Sequence, residues 1–305
     1  MGDLCVVRGM YPIRLRVSTP HRVLSFDMPT PIIPARTSVV PVSAAILSSY
    51  DIHGATGGPR AALSPLATQA RGKMVPEAAA ALGKLNDAAL AVGGDFRVTD
   101  CFRTIDEQAA IRKRYDTWVA AGKPAPGTKA FNATTMKSDY VALPAKSGHN
   151  GGRASDLSTS MMHFPGVAAD KQLDKLWEIA RPLGWRPIIK APTEGVTENW
   201  HFDYPGELTP ILDRHGYETW AMCAVLDIGA GGSVLPRAME RAVQFHLTRS
   251  GADLGEIDGM IGQRTERALR QALGVASWAA FIADAAGGFQ KLLALPTATK
   301  VLYTT

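Results

Sequence analysis

Ser147-Gly148-His149-Asn150-Gly151-Gly152-Arg153-Ala154-Ser155-Asp156 and Glu198-Asn199-Trp200-His201-Phe202-Asp203 are the stretches on which the reading of this chain turns. Together they offer two imidazoles and several carboxylates, the nitrogen and oxygen donors that suit zinc. Gly151-Gly152 lets the backbone reverse or kink, so His149 on one limb and Asp156 on the next can converge. His201 completes three protein ligands, the number a catalytic zinc uses while a fourth position stays open for water. Glu198 is then the general base that takes a proton from the activated water. Strict strand alternation sets Glu198 and His201 on opposite faces, so Glu198 belongs either to the preceding loop or to a bulge. His201 and Asp203 share a face, which suits Asp203 to orienting an imidazole, a surface aspartate being the competing reading. Taken singly, His149 and Asp156 stand at a chance spacing. The other histidines (His21, His53, His163, His215, His246) read as structural or solvated.

Working outward, the apolar positions Leu82, Leu85, Ala89 and Val92 recur at helical spacing within Val75–Val92, and Gly93-Gly94 stops the run. Phe96 to Phe102 alternates with period two, as a strand does. Thr104-Ile105-Asp106-Glu107 has the form of a capping box, which predicts a helix from there to about Gly122. Arg103 therefore stands where a strand passes into a helix. The long loop from Lys123 to Lys146 is expected to border the cleft. Asp170–Leu183 reads as an amphipathic helix ended by Pro182 and Gly184, Trp185–Ile189 as a short strand, and Thr209-Pro210 as an N-cap with proline at the first helical position.

The 305 residues suggest about two domains. With 46% apolar and 20% charged residues the composition is that of a globular protein, and it excludes general disorder and collagen. No apolar run approaches the ~18 residues of a membrane span. Cys5, Cys101 and Cys223 form no CxxC, so neither a disulfide framework nor a thiolate zinc site is indicated. The net charge is +5, from 33 basic and 28 acidic groups, and it is spread thinly along the chain. Arg112-Lys113-Arg114 lies on a predicted helix without interleaved aromatics, so nucleic acid is not the expected partner.

Residues 1–65 hold eight of the 20 prolines and no lysine, and read as an arm of unknown role. No basic start precedes an apolar run near Met1, so no secretory signal is expected, although initiation at Met28 would weaken that reading. Residues 66–220 read as the chemical domain. Asp227-Ile228-Gly229-Ala230-Gly231-Gly232-Ser233 marks a flexible linker over 221–234. Residues 235–305 then form an all-helical module of three helices: one carrying Met239, Val243 and Leu247, one carrying Ala268, Leu269, Ala272 and Leu273, and a third over 277–294. A turn at Asp258-Gly259 separates the first two.

Ser147-x-His149-x-x-Gly152-x-Ala154-x-Asp156 followed by Glu198-x-Trp200-His201 resembles the M15 zinc peptidases, which include D-alanyl-D-alanine carboxypeptidases and dipeptidases and the L-alanyl-D-glutamate endopeptidases of phage lysins. Val98 to Thr104 with Gln108 resembles that family's arginine-bearing strand, although Asp100-Cys101-Phe102 stands where Ser-Gly-Tyr is common. The resemblance covers about residues 75–205. It implies an α+β fold, a small antiparallel sheet with flanking helices (an M15 or hedgehog-like core). It also implies a single zinc held by His149, Asp156 and His201, with Glu198 as base and Arg103 as substrate or transition-state anchor. Ser147, Gln108 and Asp203 are further candidates for supporting the ligands or meeting substrate. The tail, from Gln244 through Gly251, Gly255, Asp258-Gly259 and Gly262 to Ala268-Leu269, resembles the three-helix peptidoglycan-binding domain, with Ala272-Leu273 where that family has a closing aromatic-Gln pair. The combined expectation is a monomeric, phage endolysin-like zinc peptidase acting on bacterial peptidoglycan. Such an enzyme is made in the host cytoplasm and released without its own signal. The alternatives are a D-alanyl-D-alanine carboxypeptidase and a wall-binding virion structural protein with accessory peptidase.

Overall fold

Four short strands order the centre of the molecule. The computed structural model describes residues 33–47, 70–125, 128, 141–187 and 198–298, all in one compact unit. Strands β3 (Val98–Asp100), β4 (Ala154–Leu157), β5 (Arg186–Pro187) and β6 (His201–Asp203) pair antiparallel in the order β3-β4-β6-β5. Asp156 stands opposite Asp100 on one side and His201 on the other, and Ala154 stands opposite Asp203. Directly opposed residues point the same way and lie about 4.5–5.5 Å apart, so one sheet face carries a polar row, Asp100–Asp156–His201. The other face carries Phe202 and Leu157, which enter the apolar core with Trp177, Trp185 and Phe96.

Helices close that core. α1 (Pro76–Ala91) begins with proline, whose fixed φ suits the first turn, and buries Ala78, Leu82, Leu85 and Ala89. α2 (Ile105–Ala120) starts at the expected capping box: Thr104 Oγ accepts from Glu107 N, and the Glu107 carboxylate accepts from Thr104 N at 2.8 Å. α3 (Gln172–Ala180) sets Trp177 edge-on to Phe202, centroids 6.0 Å apart. These elements bear out the α+β reading with its small antiparallel sheet.

Several expectations need correction or lie outside the described residues. The described part of the N-terminal arm, residues 33–47, is core structure. β1 (Val40–Pro41) pairs with β2 (Lys73–Met74), while Val42, Ile46 and Leu47 are buried. The rest of that arm, most of the Lys123–Lys146 loop and the end of the Trp185–Ile189 strand lie outside the described residues. Leu208, not Thr209, precedes α4 (Thr209–His215), and the Thr209 hydroxyl donates to the Gly206 carbonyl at 2.7 Å. The third tail helix is two, α8 (Trp278–Ala283) and α9 (Ala285–Leu293), divided at Asp284, whose carboxylate accepts from Gly287 N at 3.1 Å.

The largest correction concerns the linker. Residues 221–227 belong to α5 (Tyr217–Asp227), a helix buried from Trp220 onward. Its acidic end is neutralised: Arg36 Nε lies 2.7 Å from Asp227 and Arg153 Nη2 3.7 Å from it. Ile228–Arg237 then turn the chain into α6 (Ala238–Arg249), followed by α7 (Gln263–Leu273). The Asp258-Gly259 turn is held by Gln244, whose side chain accepts from Gly259 N at 2.7 Å and donates to Asp258 at 3.1 Å. One core joins Trp220, Ala224 and Leu226 to Val243, Phe245, Leu269, Phe281 and Phe289. The tail helices therefore share their apolar interior with α5, because an apolar helix between two layers is buried from both sides. Trp220 is 0% exposed in that core. Trp220→Ala is expected to lower the unfolding free energy by about 3–5 kcal/mol, read from urea denaturation of the full chain.

Candidate metal centre

Three buried donors meet at the polar face of the sheet. Asp156 and His201 arrive there by strand register, and His149 arrives on a turn. Ser147 Oγ accepts from His149 N at 3.3 Å and caps the short 3-10 turn Gly148–Gly151. Gly152 ends the turn at φ +66°, in the left-handed region that glycine adopts without a Cβ clash, and the chain enters β4. Gly151 has a different reason for lacking a side chain: a Cβ there would collide with Ala224 of α5. Ser147 thus shapes the turn, and its hydroxyl is occupied in doing so.

The ring orientations make the three donors converge. His149 Nδ1 donates to the Cys101 carbonyl, which leaves Nε2 free, 3.2 Å from Asp156 Oδ1. His201 Nε2 donates to Asp203 Oδ1 at 3.1 Å, which leaves Nδ1 free, 3.0 Å from the same Asp156 oxygen. Each imidazole has its hydrogen fixed by an acceptor behind it and presents a lone pair in front, as metal-binding histidines do. The three donor atoms lie within 4.8 Å of one another. Two imidazoles and a carboxylate, with the 3.2 and 3.0 Å separations from Asp156 close to the edges of a tetrahedron of ~2.0–2.2 Å bonds, fit zinc.

Charge in the cluster keeps Asp156 ionised, as a metal ligand must be, but sets protons in competition with a metal at His201. Burial pushes the Asp156 carboxyl up, but His149 and His201 hold it well below the usual carboxylate range. Burial pulls His201 down, yet the carboxylates of Asp203 and Asp156 carry it well above the usual imidazole value.

Glu198 lies in the loop before β6, which settles its place relative to the strand. Its carbonyl accepts from His201 N at 3.1 Å, and its backbone sits at φ +63°. A non-glycine residue there costs about 1–2 kcal/mol, the kind of local strain that collects at functional sites. Burial raises the Glu198 carboxyl above its ordinary value; Asp156 adds to that, while His201, His149 and Arg103 oppose it. A carboxyl raised by burial is a better proton acceptor than an ordinary exposed one, which suits it to general-base work.

Arg103 joins the cluster from the end of β3. Its Nη2 lies 2.7 Å from Asp100 Oδ2 and 3.7 Å from Asp156 Oδ2, and its Nη1 donates to Gln108 Oε1 at 2.9 Å. Gln108 is itself anchored, donating to the Ala142 carbonyl at 2.6 Å. Burial lowers the Arg103 pKa, and Asp100 and Asp156 more than restore it. All eight residues singled out in the sequence therefore lie in or against one cluster. Sequence reasoning missed Asp100, Asn150 and Tyr217. Asp100 stood in plain view at the end of the alternating strand. Asn150 donates to the Arg103 carbonyl at 2.8 Å, and Tyr217 accepts from Gly148 N at 3.1 Å. Both act through backbone groups, which leave no spacing signal.

Residues 71–207 match the VanY family, D-alanyl-D-alanine carboxypeptidase. Comparison with curated proteins finds no match. Among solved structures the chain is similar to a point mutant of the vancomycin-resistance D,D-pentapeptidase VanY from a VanB-type cassette, in complex with Zn(II), at 20% identity and TM-score 0.32, covering 54% of this chain and 83% of that one. VanYB in complex with D-alanine-D-alanine is similar at 24% identity and TM-score 0.31, over 44% and 72% of the two chains. The LdcB LD-carboxypeptidase is similar at 19% and 0.36, over 62% and 79%. A zinc metallopeptidase is the enzyme class that the match over residues 71–207 and the donor set support together.

Zinc requires the neutral imidazole, so protons compete with it at His201. With that pKa raised, affinity is expected to fall with acidification from above pH ~6.5, the usual histidine value, in chelator competition between pH 8 and 6. Asp203→Asn weakens the orienting hydrogen bond and is expected to reduce zinc affinity by about 10–100-fold in the same assay.

Proposed function

We propose that the chain is a zinc-dependent peptidase of bacterial peptidoglycan that hydrolyses the stem peptide at D-alanine. The observation that carries this reading is the placement of Glu198 and Arg103 against the His149–Asp156–His201 donor set. Zinc, when bound, supplies the Lewis acidity that polarises a scissile carbonyl and makes water nucleophilic near neutral pH. Glu198 accepts the proton from the attacking water and returns it to the leaving amine. Arg103 binds the carboxylate of the stem peptide, or the charge that develops on the carbonyl oxygen, by charge-assisted hydrogen bonds. Asp100, Gln108 and the Asn150 contact to the Arg103 backbone hold the guanidinium in place before substrate arrives, which limits the entropy lost on binding.

A second reading is an endolysin-type endopeptidase, cutting within the stem or cross-link. It is favoured by the tail, whose Gln244-braced Asp258-Gly259 turn belongs to the stretch that resembles peptidoglycan-binding domains. In that case tethering raises the local enzyme concentration on the wall. Both readings place the protein's action at the cell wall.

The full-length zinc-loaded protein, incubated with defined stem pentapeptides and cross-linked fragments, is expected to release free D-alanine by mass spectrometry. New D-glutamyl or cross-bridge termini would transfer the conclusion to the endopeptidase. Glu198→Gln is expected to slow turnover by about 10²–10⁴-fold with zinc content unchanged. Full turnover by that variant would refute the role of Glu198, and a wall-binding protein without hydrolysis would show neither product.

A further inference from the structure

Of the three ligands, two are carried by paired strands and one is not. Asp156 and His201 face each other across β4 and β6, so the sheet itself keeps their spacing. His149 rides on the turn 148–151, outside any strand. The side of that turn away from the sheet is covered by α5. Tyr217 at the start of α5 accepts from Gly148 N at 3.1 Å. One helical stretch later, Ala224 occupies the space that Gly151 leaves by having no side chain.

The opposite side of α5 belongs to the tail. Met222, Cys223 and Leu226 lie in one core with Val243, Phe245, Leu247 and Leu292. Arg241 of α6 spans the boundary, with Nη1 3.4 Å from Met222 Sδ and donating to the Ile257 carbonyl at 2.6 Å. Two further ties join the tail to the segment just before α5: Arg214 of α4 pairs with Asp253, and the Thr297 hydroxyl donates to Glu207 at 2.9 Å. Displacing α6 therefore displaces α5, and with it the support of the His149 turn. A packed interior transmits such shifts because it has little free volume to absorb them.

We propose that the C-terminal helices act through α5 to hold His149 in its ligating position, with Tyr217 as a positioning residue for that ligand. The tail is then part of the metal centre's support as well as a candidate wall-binding surface. This rests on the reading of His149, Asp156 and His201 as the zinc site.

The test uses the full chain with Tyr217→Phe, which removes only a hydroxyl, and Val243→Ala, which opens the tail core. Hydrogen exchange of the zinc-free proteins is expected to accelerate at residues 147–152 in both variants, while amides of β4 and β6 keep wild-type rates. Zinc Kd by chelator competition is expected to rise about 10-fold in Tyr217→Phe and at least about threefold in Val243→Ala, with far-UV circular dichroism unchanged. Wild-type exchange at 147–152 together with wild-type Kd in both variants would overturn the proposal. Uniform acceleration across the whole chain would do so too, since it reports global destabilisation. Accelerated exchange at 147–152 in a protein whose wild type binds no zinc would leave the role of α5 standing and remove the zinc reading instead.

Discussion

Asp156 places a carboxylate in the interior of the sheet, 5% exposed, and a buried carboxylate is costly unless positive charge or a metal meets it. Much of the surrounding structure answers that requirement. The register of β4 against β6 brings His201 opposite, the register against β3 brings Asp100 opposite, and Asp100 in turn holds Arg103 close by. The turn at 147–152 delivers His149. Each imidazole is then fixed from behind, by the Cys101 carbonyl and by Asp203. The result is a set of lone pairs aimed at one point, which is what a divalent cation needs and what an isolated carboxylate lacks.

A second buried ionic group organises the junction of the N-terminal segment, the peptidase core and the tail. Arg153 is 1% exposed and lies 3.0 Å from Glu77, 3.6 Å from Glu207 and 3.7 Å from Asp227. Arg36 reaches Glu207 and Asp227 as well. Glu77 also accepts from Glu207 N at 3.0 Å, so these charges share hydrogen bonds and none stands as a single buried ion. Such networks are weak sources of net stability, but breaking one member leaves another unpaired and is strongly destabilising. This gives the segment around Arg36 a structural reason to be where it is. Composition alone made it read as a proline-rich arm of unknown role.

Legibility in the sequence followed the range of the interactions. The capping box at Thr104–Glu107, the α1 periodicity and the Asp258-Gly259 turn are local, and their residues declared themselves. The donor set was legible because imidazole and carboxylate are residue types that zinc takes, and because their arrangement in the sequence resembles that of the M15 zinc peptidases. The apparent linker was misread for the opposite reason: Gly229 to Ser233 have the composition of a flexible joint, and nothing in them shows that the preceding Ala221–Leu226 are buried between the metal turn and the tail. The break at Asp284 was similarly hidden, since Ala, Gly and Phe on either side continue a helical pattern that only the capping of Gly287 interrupts.

By itself, the sequence singled out His149, Asp156 and His201 as the candidate donor set, Glu198 and Arg103 as the proposed base and anchor, and the mixed helix-and-sheet class, because residue chemistry and short-range periodicity are properties of the chain. Only the tertiary structure decided that Glu198 sits in a left-handed turn ahead of its strand, that Asp100 and Gln108 together fix Arg103, and that α5 joins the tail to the turn bearing His149. Those facts depend on groups distant in the chain meeting in a packed interior, where burial and mutual charge, not spacing, settle which neighbours a residue has.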